Sequence, residues 1–295
     1  MMERQDSPAT ATAQRRLPLR DWHRWARTDG TSLDARRRAF ALGLLCAPLP
    51  GRAAKPLPQP SVPVLLYHRF AATAVDSMTV RTSNFEAQLR LLERLNCNVI
   101  ALADWVAWRR GERATLPPRA VVLTADDGHR SQFEVMAPLL QARGWPITLF
   151  VYPSAISNAR YAMTWPQLRE LVAYPGFSVQ SHTFWHPNLM QERQRLSPQA
   201  FRRFATDQLR RSRDVIEQRL AHPVTLLAWP FGLNDEALWA QATECGYQAA
   251  VALGNRAATR QDPLYAVPRH LIVDSIDAPQ LAARLRTAFA AGDAS

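Results

Sequence analysis

The chain has 295 residues, of which 47% are hydrophobic, so it can bury the core of one large domain, and wholesale disorder is excluded. Its formal net charge is +11, but the first 54 residues contribute +5 of this, with ten Arg against five acidic residues. No block of five or six like charges marks a phosphate-binding arm, so we expect no nucleic-acid partner.

The N-terminus has the pattern of an export signal. Three arginines at positions 36–38 precede a short apolar run at 41–49, and the small residues Gly51, Ala53 and Ala54 follow it. Paired arginines before such a run indicate the twin-arginine route. The run is far shorter than the ~20 residues of a membrane span. We therefore expect an exported protein, periplasmic or at the cell surface, without a stable transmembrane segment; an Arg-rich tail is the alternative interpretation.

Beyond the predicted leader at 1–54, three prolines at 55–62 indicate an extended linker, and one domain is expected over 63–290. Short apolar runs then alternate with helical patterns. Strands are predicted at 62–67, 98–101, 120–124, 147–152, 177–181, 225–228 and 248–253. Helices are predicted at 84–96, 131–143, 164–173, 197–220 and 236–244, and the segments 271–273 and 278–290 close the pattern. This alternation predicts a parallel sheet covered by helices, either open or closed into a barrel.

The three cysteines, Cys46, Cys97 and Cys245, show no C-x-x-C spacing. A thiolate zinc site and a thioredoxin-type motif are therefore both excluded. If Cys46 is removed with a leader, the other two either form one disulfide or remain small buried hydrophobic residues. We favour the second interpretation.

Titratable side chains follow several predicted strands. His68 ends the first strand, Asp126 and Asp127 end another, and His182 and His186 end a third. Because the carboxyl ends of parallel strands share one face, these side chains should converge. Two imidazoles and one carboxylate make a three-ligand metal site with open positions, and a second carboxylate can act on water. Taken singly, each motif also fits a solvated turn or two unrelated histidines; together they indicate a metal-dependent hydrolase.

These motifs resemble those of the polysaccharide deacetylases, the NodB-homology group or carbohydrate esterase family 4. The T-F-D-D-G motif of that family appears as T-A-D-D-G at 124–128 and its H-[ST]-x-x-H motif as H-T-F-W-H at 182–186, within a resemblance that covers roughly 62–273. The resemblance implies an α/β fold, a distorted (β/α) barrel of the NodB-homology type in a single domain. It further implies that Asp127, His182 and His186 bind one divalent metal ion, zinc first, with cobalt, nickel or iron as alternatives, and that Asp126 is the catalytic base.

Two other motifs depart from the family pattern. The R-x-P-[YF] motif appears at 228–231 with Ala228 in place of its Arg, and Arg269 is a candidate to replace that arginine. The late L-x-H motif, which carries the general acid in many members, is unclear at His270. The opening Leu-Tyr-His-Arg instead resembles the subgroup acting on poly-β-1,6-N-acetylglucosamine, in which an early His serves as the acid. This favours His68 over His270.

The resemblance implies an N-deacetylase that releases acetate from an N-acetylglucosamine-containing polysaccharide, either an exopolysaccharide or a cell-wall polymer. A backbone N–H near Phe231 is implied as an oxyanion donor. Trp185, Trp229 and Phe231 are candidate substrate contacts, although aromatic residues beside strand ends are also common in cores. His129 is expected to be exposed. Two alternatives stay open: a metal-dependent amidase with a non-sugar substrate, and a catalytically silent polysaccharide-binding protein.

Overall fold

The computed structural model describes residues 60–294. The predicted export signal at 1–54 and most of the predicted linker at 55–62 lie outside the described residues. At the end of that linker, Val62 is buried and forms an antiparallel bridge with Ala258, with backbone hydrogen bonds in both directions. Val62 is therefore part of the fold. Among the described helices, none combines the length and apolarity that crossing a membrane requires.

The main sheet is entirely parallel, and its order is β10-β1-β5-β6-β7-β8-β9, with β4 paired to the start of β5. Its strands are β1 (Val64–Tyr67), β4 (Asn98–Ile100), β5 (Ala120–Asp126), β6 (Ile147–Val151), β7 (Phe177–Ser181), β8 (Leu226–Ala228), β9 (Ala249–Val251) and β10 (His270–Leu271). The short strands β2 (Arg69–Ala71) and β3 (Thr79–Arg81) form a separate parallel pair. The segment just before β10 also bridges to β9 through Val267 and Val251, so the two edges of the sheet are joined. This confirms the expected barrel-like α/β fold.

Helices follow most strands. They are α1 (Thr82–Arg94), α2 (Leu102–Arg110), α3 (Ala137–Gln141), α4 (Trp165–Val172), α5 (Leu189–Arg195), α6 (Pro198–Leu220), α7 (Glu236–Glu244) and α8 (Ala278–Ala294). A π-helical turn, Gln132–Met136, precedes α3, so the helix predicted over 131–143 is split. A 3₁₀ turn, Pro230–Gly232, follows β8. The sequence analysis missed β2, β3, α2 and α5, whose short segments carry too few residues for a clear periodicity.

Alternation along the strands separates the core into two clusters. On the outer face, residues such as Leu65, Leu123, Leu149 and Val179 pack against the surrounding helices. On the inner face, the neighbouring residues such as Val64, Val122, Phe150 and Leu226 face the barrel interior. Because successive side chains of a strand point to opposite faces, this assignment fixes the direction of each strand-end residue.

The barrel interior is filled at one end by α2. Leu102, Trp105, Val106 and Trp108 of this helix are buried in the same cluster as the inner-face strand residues. The helix follows β4, which pairs with the first residues of β5, so this end is the amino-terminal end of the strands. The carboxyl ends of the strands are thereby left as the open end of the barrel.

The two described cysteines are both free. Cys97 is half-buried and packs against the outer cluster, and Cys245 is buried within it. Burial raises the pKa of Cys97 to about 11 and also raises the pKa of Cys245. Both residues thus match the favoured interpretation of small hydrophobic side chains.

Candidate active site

Asp126 and Asp127 reach the same space by different routes. Asp126 is the last residue of β5 and faces the barrel interior by strand alternation. Asp127 adopts a left-handed conformation with φ of 74°, which turns its side chain back toward the site. Gly128 follows with φ of 66°, and a Cβ there would lie 2.9 Å from Ile156 Cδ1. The Asp-Asp-Gly turn therefore directs both carboxylates to one pocket.

The two histidines approach these carboxylates from β7. His182 follows the strand on its inner face, and its Nδ1 lies 2.8 Å from the Ala228 carbonyl oxygen. That hydrogen bond leaves Nε2 facing Asp126 Oδ2 at 3.6 Å and Asp127 Oδ1 at 3.7 Å. Nε2 of His186 lies 3.9 Å from the same Asp127 oxygen. A backbone carbonyl thus sets the orientation of His182, as is common for metal-binding histidines.

The loop that carries the histidines is strained and well supported. Thr183 and His186 both have positive φ values, 64° and 63°, which are unusual for a buried β-branched residue such as Thr183. The Thr183 hydroxyl accepts a hydrogen bond from the His186 N–H, and Gln208 of α6 accepts one from the Trp185 N–H. Strained backbone held in this way is characteristic of functional sites.

Asp127, His182 and His186 form a donor set that suits a divalent metal ion. One donor atom from each residue lies within 4.8 Å of the other two. Burial lowers the pKa of His182 to about 3, against the opposing charge of Asp126, and burial also lowers the pKa of His186. Both imidazoles are therefore neutral near pH 7 and have lone pairs available. Two imidazoles and one carboxylate match the ligand preference of zinc and related transition metals.

Arg269 holds Asp126 through two parallel hydrogen bonds. Its two terminal nitrogens lie 2.7 Å from the two Asp126 carboxylate oxygens, and both side chains are almost completely buried. Burial alone would raise the pKa of Asp126, but Arg269, with His182, outweighs it and lowers the pKa to about 2. The residue proposed from the sequence to replace the missing arginine of the 228–231 motif therefore contacts Asp126 directly.

The structure separates the two histidines that were candidates for the general acid. His68 lines the same pocket as Asp126 and Asp127, and its Nδ1 is buried without a partner among the described residues. His270 pairs with Leu65 on the outer face of the sheet, away from the pocket. Burial, with Arg284, lowers the pKa of His270 to about 4. The alternation that turns Arg269 inward turns His270 outward, so the site contains His68 and excludes His270.

Gln132 links the segments that carry the proposed acid and base, and the sequence analysis missed it. Its side-chain amide donates to the backbone carbonyls of His68 at 2.9 Å and Asp126 at 2.5 Å. The residue is fully buried at the start of the π-helical turn after the Asp-Asp-Gly motif. π-Helical turns are frequent at functional sites. The only sequence signal was its position six residues after Asp126.

The aromatic candidates differ in exposure. Trp185 and Phe231 are 44% and 55% exposed, and the Phe231 ring lies 4.7 Å from the His186 ring. Trp229 is fully buried in the outer cluster, where its indole N–H donates to the Tyr265 carbonyl. Trp229 nevertheless belongs to the lining of the pocket that contains His182 and Phe231, and its contact with substrate stays a prediction. His129 is half-buried rather than exposed, with Nδ1 2.8 Å from the Ser131 hydroxyl.

A pocket of about 260 Å³ joins these groups at the open end of the barrel. Its polar lining consists of His68, Asp126, Asp127, His182, His186 and Arg269. Its apolar lining includes Leu66, Met78, Phe231, Leu253 and Leu271. The pocket therefore places two carboxylates, three imidazoles and one guanidinium group beside an apolar wall.

Residues 113–250 match the family model described as polysaccharide deacetylase. That match includes the Asp-Asp-Gly turn, the histidine loop and the 228–231 motif. The matched segment is 138 of the 295 residues, and this part of the chain is similar to polysaccharide deacetylases. This confirms the resemblance drawn from the two motifs.

Individual proteins show the same relationship. The chain is 24% identical to the putative polysaccharide deacetylase YxkH of Bacillus subtilis over 208 residues, 70% of each chain. It is 29% identical to the poly-β-1,6-N-acetyl-D-glucosamine N-deacetylase of Escherichia coli K12 over 148 residues, which are 45% of this chain and 22% of that protein. Among solved structures, the Streptococcus pyogenes deacetylase PplD in complex with acetate superposes with a TM-score of 0.68 at 22% identity, covering 77% of this chain and 99% of that one.

Proposed function

We propose that the chain is a metal-dependent N-deacetylase that releases acetate from an N-acetylglucosamine-containing polysaccharide. The observation that carries this proposal is the convergence of Asp127, His182 and His186 in one pocket with His68 and the Arg269-bound Asp126. A protein that only binds a polysaccharide has no need of a buried carboxylate beside a metal site and a histidine.

Asp127, His182 and His186 would hold the metal ion. A divalent ion supplies a Lewis acid at this position, which lowers the pKa of a water molecule from ~15.7 toward ~7 and polarises a carbonyl oxygen. The residues themselves bring neutral nitrogen donors and one anionic oxygen, because burial keeps both imidazoles unprotonated. We propose zinc as the ion, with cobalt, nickel or iron as alternatives.

Asp126 is proposed as the base that accepts a proton from the attacking water. Its lowered pKa keeps the carboxylate ionised throughout the neutral range. Each carboxylate oxygen accepts one hydrogen bond from Arg269 and retains a lone pair for a second partner. Arg269 therefore orients the carboxylate and holds it in the anionic form while leaving it able to accept the proton.

His68 is proposed as the acid that gives a proton to the departing amine. The nearby carboxylates of Asp126 and Asp127 favour its protonated form, although burial has the larger effect and lowers its pKa. Gln132 holds the backbone of His68 against that of Asp126, which fixes the separation between acid and base. Positioned proton transfer of this kind contributes about 10²–10⁴-fold to a reaction rate.

The remaining pocket lining suits an acetylated sugar. The apolar side chains Leu66, Leu253 and Leu271 can surround the acetyl methyl group. A backbone N–H near Phe231 is proposed to stabilise the oxyanion. The exposed rings of Trp185 and Phe231 are proposed to contact the polymer.

The polymer class and the cellular location are also proposals. The E. coli relative is named a poly-β-1,6-N-acetyl-D-glucosamine N-deacetylase, and the early His68 fits the same subgroup. The chain spans about a fifth of that protein, so a β-1,6-linked polymer is our proposed substrate for this domain. The export pattern at 36–54 supports action outside the cytoplasm, and we propose no nucleic-acid partner.

Two measurements test the proposal. Elemental analysis of the purified chain should find about one divalent transition-metal ion per molecule, and His182→Ala should lose it. The metal-loaded wild type should then release acetate from β-1,6-linked N-acetylglucosamine oligomers or chitooligosaccharides. Metal binding without acetate release from either series would favour an amidase with a non-sugar substrate. Absence of metal after reconstitution would favour a polysaccharide-binding protein.

A further inference from the structure

Two tyrosines extend the site beyond His186. The ring of Tyr152, which directly follows β6, lies 5.4 Å from the His186 ring between centroids. The Tyr152 hydroxyl lies 2.5 Å from the Tyr161 hydroxyl. The Tyr161 ring in turn stacks on the His129 imidazole, with centroids 6.2 Å apart and planes 10° from parallel. Aromatic side chains thus continue from the proposed metal site to the rim of the barrel.

Tyr161 is exposed but firmly held. The residue is 40% exposed, although its hydroxyl and its ring each have a side-chain partner. Its backbone carbonyl accepts a hydrogen bond from Arg130 N at 2.8 Å, and the next residue, Ala162, forms an antiparallel bridge with His129. Because the ring is already ordered, a ligand that stacks on it loses little free energy in immobilising the side chain.

We propose that Tyr161 is a sugar-binding subsite for the pyranose next to the one that is deacetylated, an inference that rests on the proposed function. The apolar face of a β-linked N-acetylhexosamine fits against an aromatic ring, whereas its hydroxyl groups need partners at the ring edge. Tyr161 offers both, because its ring is open to solvent and its hydroxyl is paired with that of Tyr152.

The hydroxyl pair leaves hydrogen-bonding capacity for a ligand. Two phenol groups have two protons, and their mutual hydrogen bond uses only one of them. The second proton and the remaining lone pairs can bind a sugar hydroxyl group. His129 and Tyr152 act as positioning residues, since they support the ring and the hydroxyl of Tyr161.

Other exposed hydrophobic side chains near the pocket have a different chemistry. Phe231 and Leu253, which line the pocket, are exposed and have no hydrogen-bonding groups. Tyr161 differs from them because its exposed ring also carries a hydroxyl group that is paired with Tyr152.

The test compares substrates of increasing length in the metal-loaded full chain. Tyr161→Ala should raise KM for a β-1,6-linked N-acetylglucosamine pentamer about tenfold, the effect of losing one aromatic contact, and change kcat by less than about twofold. The rate on a small acetyl ester, which cannot reach Tyr161, should stay unchanged. Tyr161→Phe keeps the ring and should raise KM only about threefold, the effect of one neutral hydrogen bond.

Tyr174→Phe is the matched control for the hydroxyl change. The Tyr174 hydroxyl donates a hydrogen bond to the Gln141 carbonyl. Tyr174 lies just before the amino-terminal end of β7, far from the open end of the barrel, so the KM of Tyr174→Phe should equal that of the wild type. An unchanged KM for the pentamer in Tyr161→Ala would overturn the subsite. An equal loss of rate on the pentamer and on the small ester would also overturn it, because that result indicates a structural defect.

Failure of the proposed function is distinguishable from failure of the subsite. If the wild type releases no acetate from any oligomer, the subsite is tested by binding alone. Calorimetric titration then compares the affinity of the wild type and of Tyr161→Ala for the pentamer. Binding by the wild type that weakens about tenfold in the variant supports the subsite. Equal affinity, or no binding by the wild type, overturns it.

Discussion

The two ends of the barrel are built from different kinds of residues. At the carboxyl ends of the strands, Asp126, His182 and Arg269 are buried charged or polar groups that contact one another. At the amino-terminal end, Trp105 and Trp108 of α2 fill the interior with apolar contacts. The open end therefore accepts buried charge, whereas the closed end provides packing. The free energy of unfolding and the catalytic rate can for this reason be altered separately in this protein.

Backbone strain occurs at both ends. Asp127 and Thr183 have left-handed conformations in the loops that form the site, and Asn96 and Arg119 have them just before β4 and β5. Such conformations cost about 1–3 kcal/mol each and persist only where the surroundings enforce them. The two ends therefore differ in the side chains that they bury. Substitutions at the open end should change activity first, and substitutions at the closed end should change the free energy of unfolding first.

The largest effect is expected for Asp126→Asn. Removing the proposed base should lower kcat by about 10²–10⁴-fold while metal remains bound to Asp127, His182 and His186. Acetate release and metal content measure the two properties. Asp104→Asn in α2 is the control, since its exposed ion pair with Arg113 contributes at most about 1 kcal/mol. Full activity of Asp126→Asn would refute the base assignment.

Trp105→Ala tests the closed end. Loss of this fully buried ring should lower the free energy of unfolding by about 3–5 kcal/mol. The kcat of the folded fraction should stay unchanged, as measured by denaturant titration beside an activity assay. Arg94→Ala, at an exposed position near the end of α1, should alter stability by no more than about 0.5 kcal/mol. A large fall in kcat for Trp105→Ala would show that the two ends are not separable.

Two histidine substitutions sharpen the assignment of the acid. His68→Gln should lower kcat by about 10²-fold, the smaller end of the range for proton transfer. His270→Gln should leave kcat within about twofold, because this side chain lies on the outer face of the sheet. Steady-state rates for both variants decide the matter. The reverse order of effects would assign the acid to His270.

Arg269→Lys should lower the rate less than substitution of the proposed base or acid does. Lysine keeps the positive charge but loses the paired geometry, so we expect about tenfold lower kcat and a loss of about 1.5–3 kcal/mol in stability. The pKa of Asp126 is lowered to about 2, so the ion pair stabilises the fold above the unfolded pKa of ~3.9 and this stabilisation is lost as the pH falls toward 2.

The Arg269→Lys variant should therefore unfold at a higher pH than the wild type during acid titration, followed by circular dichroism. Arg202→Lys, in an exposed ion pair with Glu244, is the control and should leave the acid transition unchanged. Identical acid transitions for wild type and Arg269→Lys would show that the paired geometry contributes no stability.

The positions of the main site residues could be predicted because they follow strands. Asp126, Asp127 and His182 each come directly after a short apolar run, and parallel strands bring their carboxyl ends together. The predicted ends of β5, β6 and β7 differ from the observed ones by at most two residues. Arg269 was a candidate for a different reason, because Ala228 stands where the family motif has its Arg.

Side-chain direction was harder to predict. Trp229 follows β8 as His182 follows β7, yet the Trp229 side chain points into the outer cluster. The two side chains differ because β7 and β8 end at different positions in their register. The same uncertainty applied to His68 and His270. The bridging role of Gln132 and the contact between Tyr152 and Tyr161 join residues on different elements, so no spacing in the chain indicated them.

The sequence by itself determined the α/β class, the motifs at the strand ends and the chemical types of the candidate ligands, because these depend on local periodicity and residue identity. Only the tertiary structure decided which side chains meet. The pairing of Arg269 with Asp126, the exclusion of His270 and the exposed position of Tyr161 all depend on strand register and loop conformation. Register and conformation are set by packing between distant segments, which a linear pattern does not contain.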